Sequence, residues 1–285
     1  MSTMTITLDD FTVSTDPTGD PVTFKLTNLD GWYSSPPVRV NVIDMPLTDG
    51  GFNPVRAYRS PRQLAAQGFV YGGTAEQAIE LAWQVIAAIG DTGNAITLTV
   101  TDDSDTKTMQ VWLAGAPLVL PFGPNRARFN IPLVAADPRK YKAQDELVSA
   151  PAGSAADGLT FPLFAPGFLD FGTFSPSGRF SVTNYGTAES WPIFKVRGGL
   201  TVGFQIIADS NVVTYSAAVA AGTEYTLSPY AGGRVTQGTS DYTQYLTQSD
   251  WPSILPGQTR LFVFNPLGSA DANAQLTTLF SDAWW

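Results

Sequence analysis

The sequence predicts a mainly β protein with a single helix. Three observations carry this. Charged residues make up only 14 % of the chain, while Gly (26) and Pro (21) are abundant. A chain poor in Lys and Glu and rich in turn formers disfavours helix and favours short strands joined by turns. Apolar side chains alternate at every second position in many short runs, the pattern of half-buried strands. Only one segment has helical spacing between a capping signal and a glycine stop.

The elements follow in order. Thr5–Leu8 and Phe11–Val13 alternate, and the turn formers Asp16 to Pro21 separate them from Val22, Phe24 and Leu26. This reads as paired strands. Asp30-Gly31-Trp32 marks a turn, Val38–Val42 a further strand, and Asp44 to Pro54 a loop that leads through Arg56, Arg59 and Arg62 to a strand at Phe69–Tyr71. Thr74-Ala75-Glu76-Gln77 is a capping box, in which the hydroxyl and the amide satisfy backbone N–H groups that have no partner in the first turn. Ala78, Ala82, Val85, Ile86 and Ile89 then share one face and Gly90 ends the run, so an amphipathic helix is predicted over about 74–90. Ile96–Val100 and Met109–Leu113 form a hairpin about Asp102–Asp105. Leu118–Leu120 and Ala127–Leu133 complete the first half.

A compositional seam follows. Ser149 to Gly158 is a run of small residues, Pro and Gly, and reads as linker or exposed loop. Residues 1–142 hold eleven Lys/Arg against fourteen Asp/Glu, a net −3, and the remainder five against eleven, a net −6. Past the seam, strands are predicted at Phe180–Val182, Trp191–Val196, Val202–Ile207, Val212–Tyr215, Tyr225–Leu227 and Thr259–Phe264, the spacing of an antiparallel sandwich. The expected organisation is a first domain over 1–145, a sandwich over 146–264, and a segment 265–285 that packs on either.

Composition also limits function. The chain has no histidine and no cysteine. The usual general base, thiolate nucleophiles, Cys/His zinc sites and Ser-His-Asp triads are all excluded. Net charge −9 disfavours a sequence-blind grip on nucleic acid. Met1–Thr5 has neither basic residues nor an apolar run, and no apolar stretch approaches the ~20 residues of a membrane span, so neither a signal peptide nor membrane insertion is expected.

The remaining chemical candidates each have a plainer explanation. Ser104 to Lys107 matches the Ser-x-x-Lys spacing but lies in a predicted hairpin turn, where the helix start that this chemistry needs is missing. Asp102, Asp103 and Asp105 crowd one turn but lack the glycine and glutamate of a calcium loop, and Asp stabilises turns in its own right. The five glutamates, Glu76, Glu80, Glu146, Glu189 and Glu224, fall in no recognisable motif. Tyr225, Tyr230, Tyr242, Tyr245 and Trp251 are either a saccharide platform or part of a sandwich core or subunit interface, and aromatic residues more often serve core or interface. Arg56, Arg59 and Arg62 are read as ion-pairing residues within or between subunits. Trp284 and Trp285 are costly to leave in water and are expected to pack on this chain or a neighbour. No cofactor and no metal site is expected.

Several motifs, taken in order, point to a family. Asp30-Gly31-Trp32, Pro36-Pro37-Val38-Arg39, Asp49-Gly50-Gly51 and Tyr58-Arg59-Ser60-Pro61-Arg62 are followed by Ala136-Asp137-Pro138-Arg139-Lys140-Tyr141. Then come Asn184 to Pro192, and Trp251 with Leu255-Pro256-Gly257. In order and spacing the chain resembles the distal tail (Dit-like) proteins of long-tailed phages, particularly those of actinobacteria. The resemblance implies a virion protein of the tail tip, made in the host cytoplasm. It implies a β-rich belt domain bearing the helix and an outward galectin-like sandwich, with six copies forming a homo-hexamer ring. Its implied partners are the tail tube protein, the tape-measure protein and the tail-tip hub, with no membrane and no sequence-specific nucleic acid. Arg56, Arg59, Arg62, Trp284 and Trp285 are the expected subunit-interface residues. The alternative is a carbohydrate-binding adhesion protein that uses the second domain, with a saccharide as partner.

Overall fold

The computed structural model describes residues 3–9, 11–17, 24–52, 57–89, 94–103, 105–143, 146–151 and 178–285. The chain divides into two compact units, Met1–Ala143 together with Trp284–Trp285, and Gln144–Ala283. Both are built from antiparallel strands.

The first unit contains β1 (Met4–Leu8), β2 (Phe11–Ser14), β3 (Phe24–Asp30), β4 (Val38–Arg39), β5 (Tyr58–Arg59), β6 (Arg62–Tyr71), α1 (Ala75–Ile89), β7 (Ile96–Asp102), β8 (Asp105–Leu113), β9 (Leu118–Pro121), β10 (Arg126–Ala135) and β11 (Lys140–Lys142). Its main sheet runs β2-β1-β7-β8-β10-β6-β3, with β9 on β10 and β11 on β8. The join between β8 and β10 is short, only Leu133 opposite Leu113 and Val134 opposite Trp112. Ile6, Leu98 and Val100 from one side of that join share a core with Leu26, Val70, Phe129 and Ile131 from the other. Alternation explains the pairing, because in β1, β7 and β10 every second side chain is buried.

The helix starts as its capping box dictates. The Gln77 backbone N–H donates to Thr74 Oγ1 at 3.2 Å, and the Gly73 N–H donates to Gln77 Oε1 at 3.0 Å. Ala78, Ala82 and Ile86 are buried, while the side chains of Val85 and Ile89, and Gly90, lie outside the described residues. The helix packs on β10, β9 and β6.

Two strand expectations change. The strand read over Val38–Val42 is only two residues long, pairing Val38 with Arg59 and Arg39 with Tyr58 in a separate two-stranded ribbon. The strand read at Phe69–Tyr71 begins seven residues earlier, at Arg62, and pairs with β10 along its whole length. The Gly68 and Ala65-Ala66 positions obscured it, since they weaken strand propensity without breaking the alternation.

The second unit is a sandwich of two sheets. One runs β12 (Glu146–Pro151), β22 (Gln275–Phe280), β14 (Ile193–Arg197), β17 (Glu224–Ser228), β18 (Arg234–Gln237) and β19 (Ser240–Asp241). The other runs β13 (Arg179–Thr183), β21 (Thr259–Pro266), β15 (Phe204–Ala208), β16 (Asn211–Tyr215) and β20 (Leu246–Ser249). Phe194, Val196, Leu227 and Leu276 of the first meet Phe204, Ile206, Phe262 and Phe264 of the second in one core. Ser149–Pro151, read as linker, are instead the end of β12, paired with β22; residues 152–158 lie outside the described residues. Residues 265–285 are no appended tail: β22 sits between β12 and β14. The final strand, β23 (Ala283–Trp284), delivers Trp284 and Trp285 to the first unit.

Candidate functional site

Three of the motifs quoted above converge in the first unit. Strand β6 alternates inward and outward, and Arg62 occupies the inward position in line with Leu64, Ala66 and Val70. Arg62 is therefore only 1 % exposed. It is accommodated by carbonyl oxygens, with Nη1 donating to Gly31 O at 2.7 Å, Ser34 O at 2.6 Å and Trp32 O at 3.4 Å, and Nε donating to Pro138 O at 3.0 Å. Nε and Nη1 of the fork thus meet acceptors, while Nη2 is buried with none among the described residues. Burial and the neighbouring Arg59 lower its pKa.

The 31–34 turn is shaped for this. Gly31 has φ +82°, and a Cβ there would stand 2.1 Å from the Gln63 carbonyl oxygen. Trp32 is buried, and the Lys140 ammonium lies 5.4 Å from its ring centroid while donating to Trp32 O at 3.2 Å. Burial, then repulsion from Arg62 and Lys107, pushes the Lys140 pKa down to about 8. Tyr33 donates its hydroxyl to Asp102 Oδ2. Partial desolvation and then that hydrogen bond raise the phenol to about 12.

Beside this knot, Trp285 lies between two guanidinium groups, Arg59 at 4.4 Å and Arg139 at 5.5 Å from its ring centroid. Trp284 carries the Lys107 ammonium at 4.6 Å. Asp137 accepts from Arg139 at 3.2 Å and from the Tyr141 hydroxyl at 2.6 Å. Of the five residues singled out in sequence, the structure thus joins Arg59 to Trp285 and sets Trp284 on Lys107. It turns Arg62 inward because of its parity in β6. Arg56 lies outside the described residues. Sequence reasoning missed Lys140, Arg139 and Trp32 as parts of the same cluster. Extending the β6 alternation back to Arg62 would have shown its burial.

An arm leaves this knot. Residues 36–60, of which 53–56 lie outside the described residues, fold back through the β4/β5 pair and the Asp44–Gly51 bridge, apart from the main sheet. Val38, Val40, Val42, Ile43 and Phe52 on it are about half or more exposed and Leu47 is 96 % exposed.

The rest of the molecule offers little chemistry. A groove of about 580 Å³ in the first unit is lined by Leu64, Ala114, Pro132 and Val134, and its carboxylate, Asp30, accepts from Asn28 and, at 2.7 Å, from Gln67. No group of three or more potential metal-ligating side chains exists among the described residues. In the second unit Tyr225 is buried and Tyr242 and Trp251 pack on the core, so three of the five aromatic residues considered as a platform serve the sandwich. Asn184 organises that unit: its amide donates to Ala188 O and Ile254 O, at 2.8 and 2.9 Å, and its Oδ1 accepts from the Gly186 N–H.

No protein-family model matches the chain, and no curated protein matches it in sequence. Solved structures do. The crystal structure of the Dit protein of phage SPP1, described as a paradigm of the hub adsorption apparatus in phages infecting Gram-positive bacteria, aligns over 99 % of both chains with a TM-score of 0.65 at 13 % identity. The chain has the Dit fold. Chains of the phage P2 baseplate in its activated conformation, with Ca and with Sr, align over 98 % of both chains at TM-scores of 0.53 and 0.52 and 10 % identity. The Dit fold therefore accounts for both units together, at a sequence identity too low to carry residue roles across.

Proposed function

We propose that this protein is a structural component of a phage tail tip. It closes a ring of six copies through its first unit, joins the tail tube to the hub, and leaves a central channel for the tape-measure protein and DNA. The observation that carries the reading is the Dit fold over nearly the full length of both chains. The chemistry supports it. A chain without histidine or cysteine and with its buried cations committed to backbone carbonyls is built for shape. Net charge −9 suits a channel in which DNA slides without being held. Saccharide binding is less well supported, since most of its aromatic platform is core. The test is the native mass of the purified full chain. Assembly near six times 30.5 kDa supports the reading, and a monomer at every concentration overturns it.

A further inference from the structure

The groove of the first unit lies on the side of the sheet that α1 leaves open. Ala82 and Ile86 of α1 pack with Val70, Phe129 and Ile131, the inward side chains of β6 and β10. The groove is lined instead by outward ones, among them Gln63 and Ala65 of β6 and Pro132 and Val134 of β10.

Strand register explains its shape. Pro132 stands opposite Ala65, and Ala65 opposite Asp30 of β3; on the far side of β10 the Ala114 N–H donates to Pro132 O at 2.9 Å. This low row crosses the strands between two taller ones. On one side stand Trp112, Val134 and Gln63, and on the other Leu118, Asn130 and Gln67. Side chains on one face recur every second residue, so the two ridges are four residues apart, about 14 Å. From Ala114 to Asp30 the floor spans three inter-strand gaps, again about 14 Å. Those dimensions fit a single α-helix, about 10–12 Å across with its side chains, over roughly ten residues.

Two further features define the occupant. The first is backbone chemistry. β6 is paired on both edges, with β10 and β3, and β10 is paired with β6 on one edge and with β8 and β9 on the other. A segment laid across them finds no open backbone groups and must satisfy its own, which a helix does and an extended peptide does not. The second is charge. The outward charges on β3, β6, β9 and β10 are Lys25, Arg126 and Arg128 against Asp30, and Asp30 already accepts from Asn28 and Gln67. Lys25 and Arg128 share a row with Phe69 and Leu120, next to the Gln67 ridge. None of the three cations pairs with a carboxylate among the described residues, although the chain carries a net charge of −9.

We infer that this groove docks an acidic amphipathic α-helix of another protein. Its apolar stripe lies on Ala65 and Pro132 between the ridges, and its carboxylates face Lys25, Arg126 and Arg128. Among the described residues a second copy has no helix to offer, since α1 is the one α-helix and its apolar side is committed to its own core. The site goes beyond ring formation and does not rest on it.

Fluorescence anisotropy on the full chain tests it. The probe is a labelled, stapled helix of about fifteen residues with Leu at i, i+3, i+4 and i+7 and Glu on both flanks. The controls are the same helix with Lys in place of Glu, and a scrambled sequence of the same composition. Saturable binding of the acidic helix alone is expected. Ala65→Trp, which fills the floor, is expected to weaken it about tenfold or more, and Arg128→Glu about fivefold. Both positions face outward, and circular dichroism checks that the fold is kept. No saturable binding at millimolar probe, equal binding of either control, or wild-type affinity in either variant overturns the proposal. So does loss of self-association in Ala65→Trp, because the face is then a contact between copies. A wild-type chain that binds the acidic helix yet never assembles leaves this site standing and overturns the ring alone.

Discussion

The guanidinium of Arg59 lies 4.4 Å from the centre of the Trp285 ring, which ties β5, at the root of the arm, to the residue that follows β23. A cation over an indole face contributes about 0.5–2 kcal/mol, and the part-buried ring adds apolar burial. Trp285→Ala is therefore expected to lower the stability of the first unit by about 1–3 kcal/mol, with Trp285→Phe intermediate. Urea unfolding followed by circular dichroism reads this, and an unchanged first transition contradicts it.

Arg62 and Arg59 differ sharply despite their spacing of three. Arg62→Ala leaves the carbonyls of Gly31, Ser34 and Pro138 without their donor and opens a cavity, at an expected cost of about 3–5 kcal/mol. Arg59→Ala is expected to cost less than about 2 kcal/mol. Equal losses in parallel unfolding curves would show that the buried position of Arg62 carries no special weight.

Lys140 makes stability depend on pH. Its folded pKa, about 8, lies below the usual 10.5, so the folded state holds fewer protons than the unfolded state between those values. Stability then rises with pH across that window, and the cost of the buried charge is present in full below it. From pH 8 to 9.5 the gain is expected to be about 1–2 kcal/mol. Above pH 10 the raised phenol of Tyr33 acts in the opposite sense, since the stability it contributes is lost as pH climbs toward 12. Lys140→Met should flatten the rise. A wild-type stability that is level or falling between pH 8 and 9.5 contradicts the assignment.

Gly31→Ala tests the turn that feeds carbonyls to Arg62. The left-handed φ and the 2.1 Å approach to the Gln63 carbonyl oxygen leave no room for a methyl group. A loss of about 2–4 kcal/mol is expected, from backbone strain and displaced hydrogen bonds together. A melting temperature within a degree of wild type would mean that the turn relaxes freely.

Much of the fold is legible in the sequence because it rests on local periodicity. The β1, β7 and β10 alternation and the capping box at Thr74 each declare themselves within ten residues. What escapes is what depends on distant partners. Gln275–Phe280 alternates only weakly, and its place between β12 and β14 is set by pairing across more than seventy residues. The Arg62 cluster is similar: its motifs are visible one by one, yet Lys140 reaches Trp32 across 108 residues. The arm misleads for another reason. Val38, Val40 and Val42 alternate as a sheet strand would, but the chain has left the sheet there, and alternation does not report whether a partner surface lies in the same molecule.

Electron micrographs of the purified full chain test the account most directly. Closed annuli with sixfold rotational symmetry and an open centre are the predicted result. A field of single particles of about 30 kDa, unchanged as concentration is raised, would contradict it.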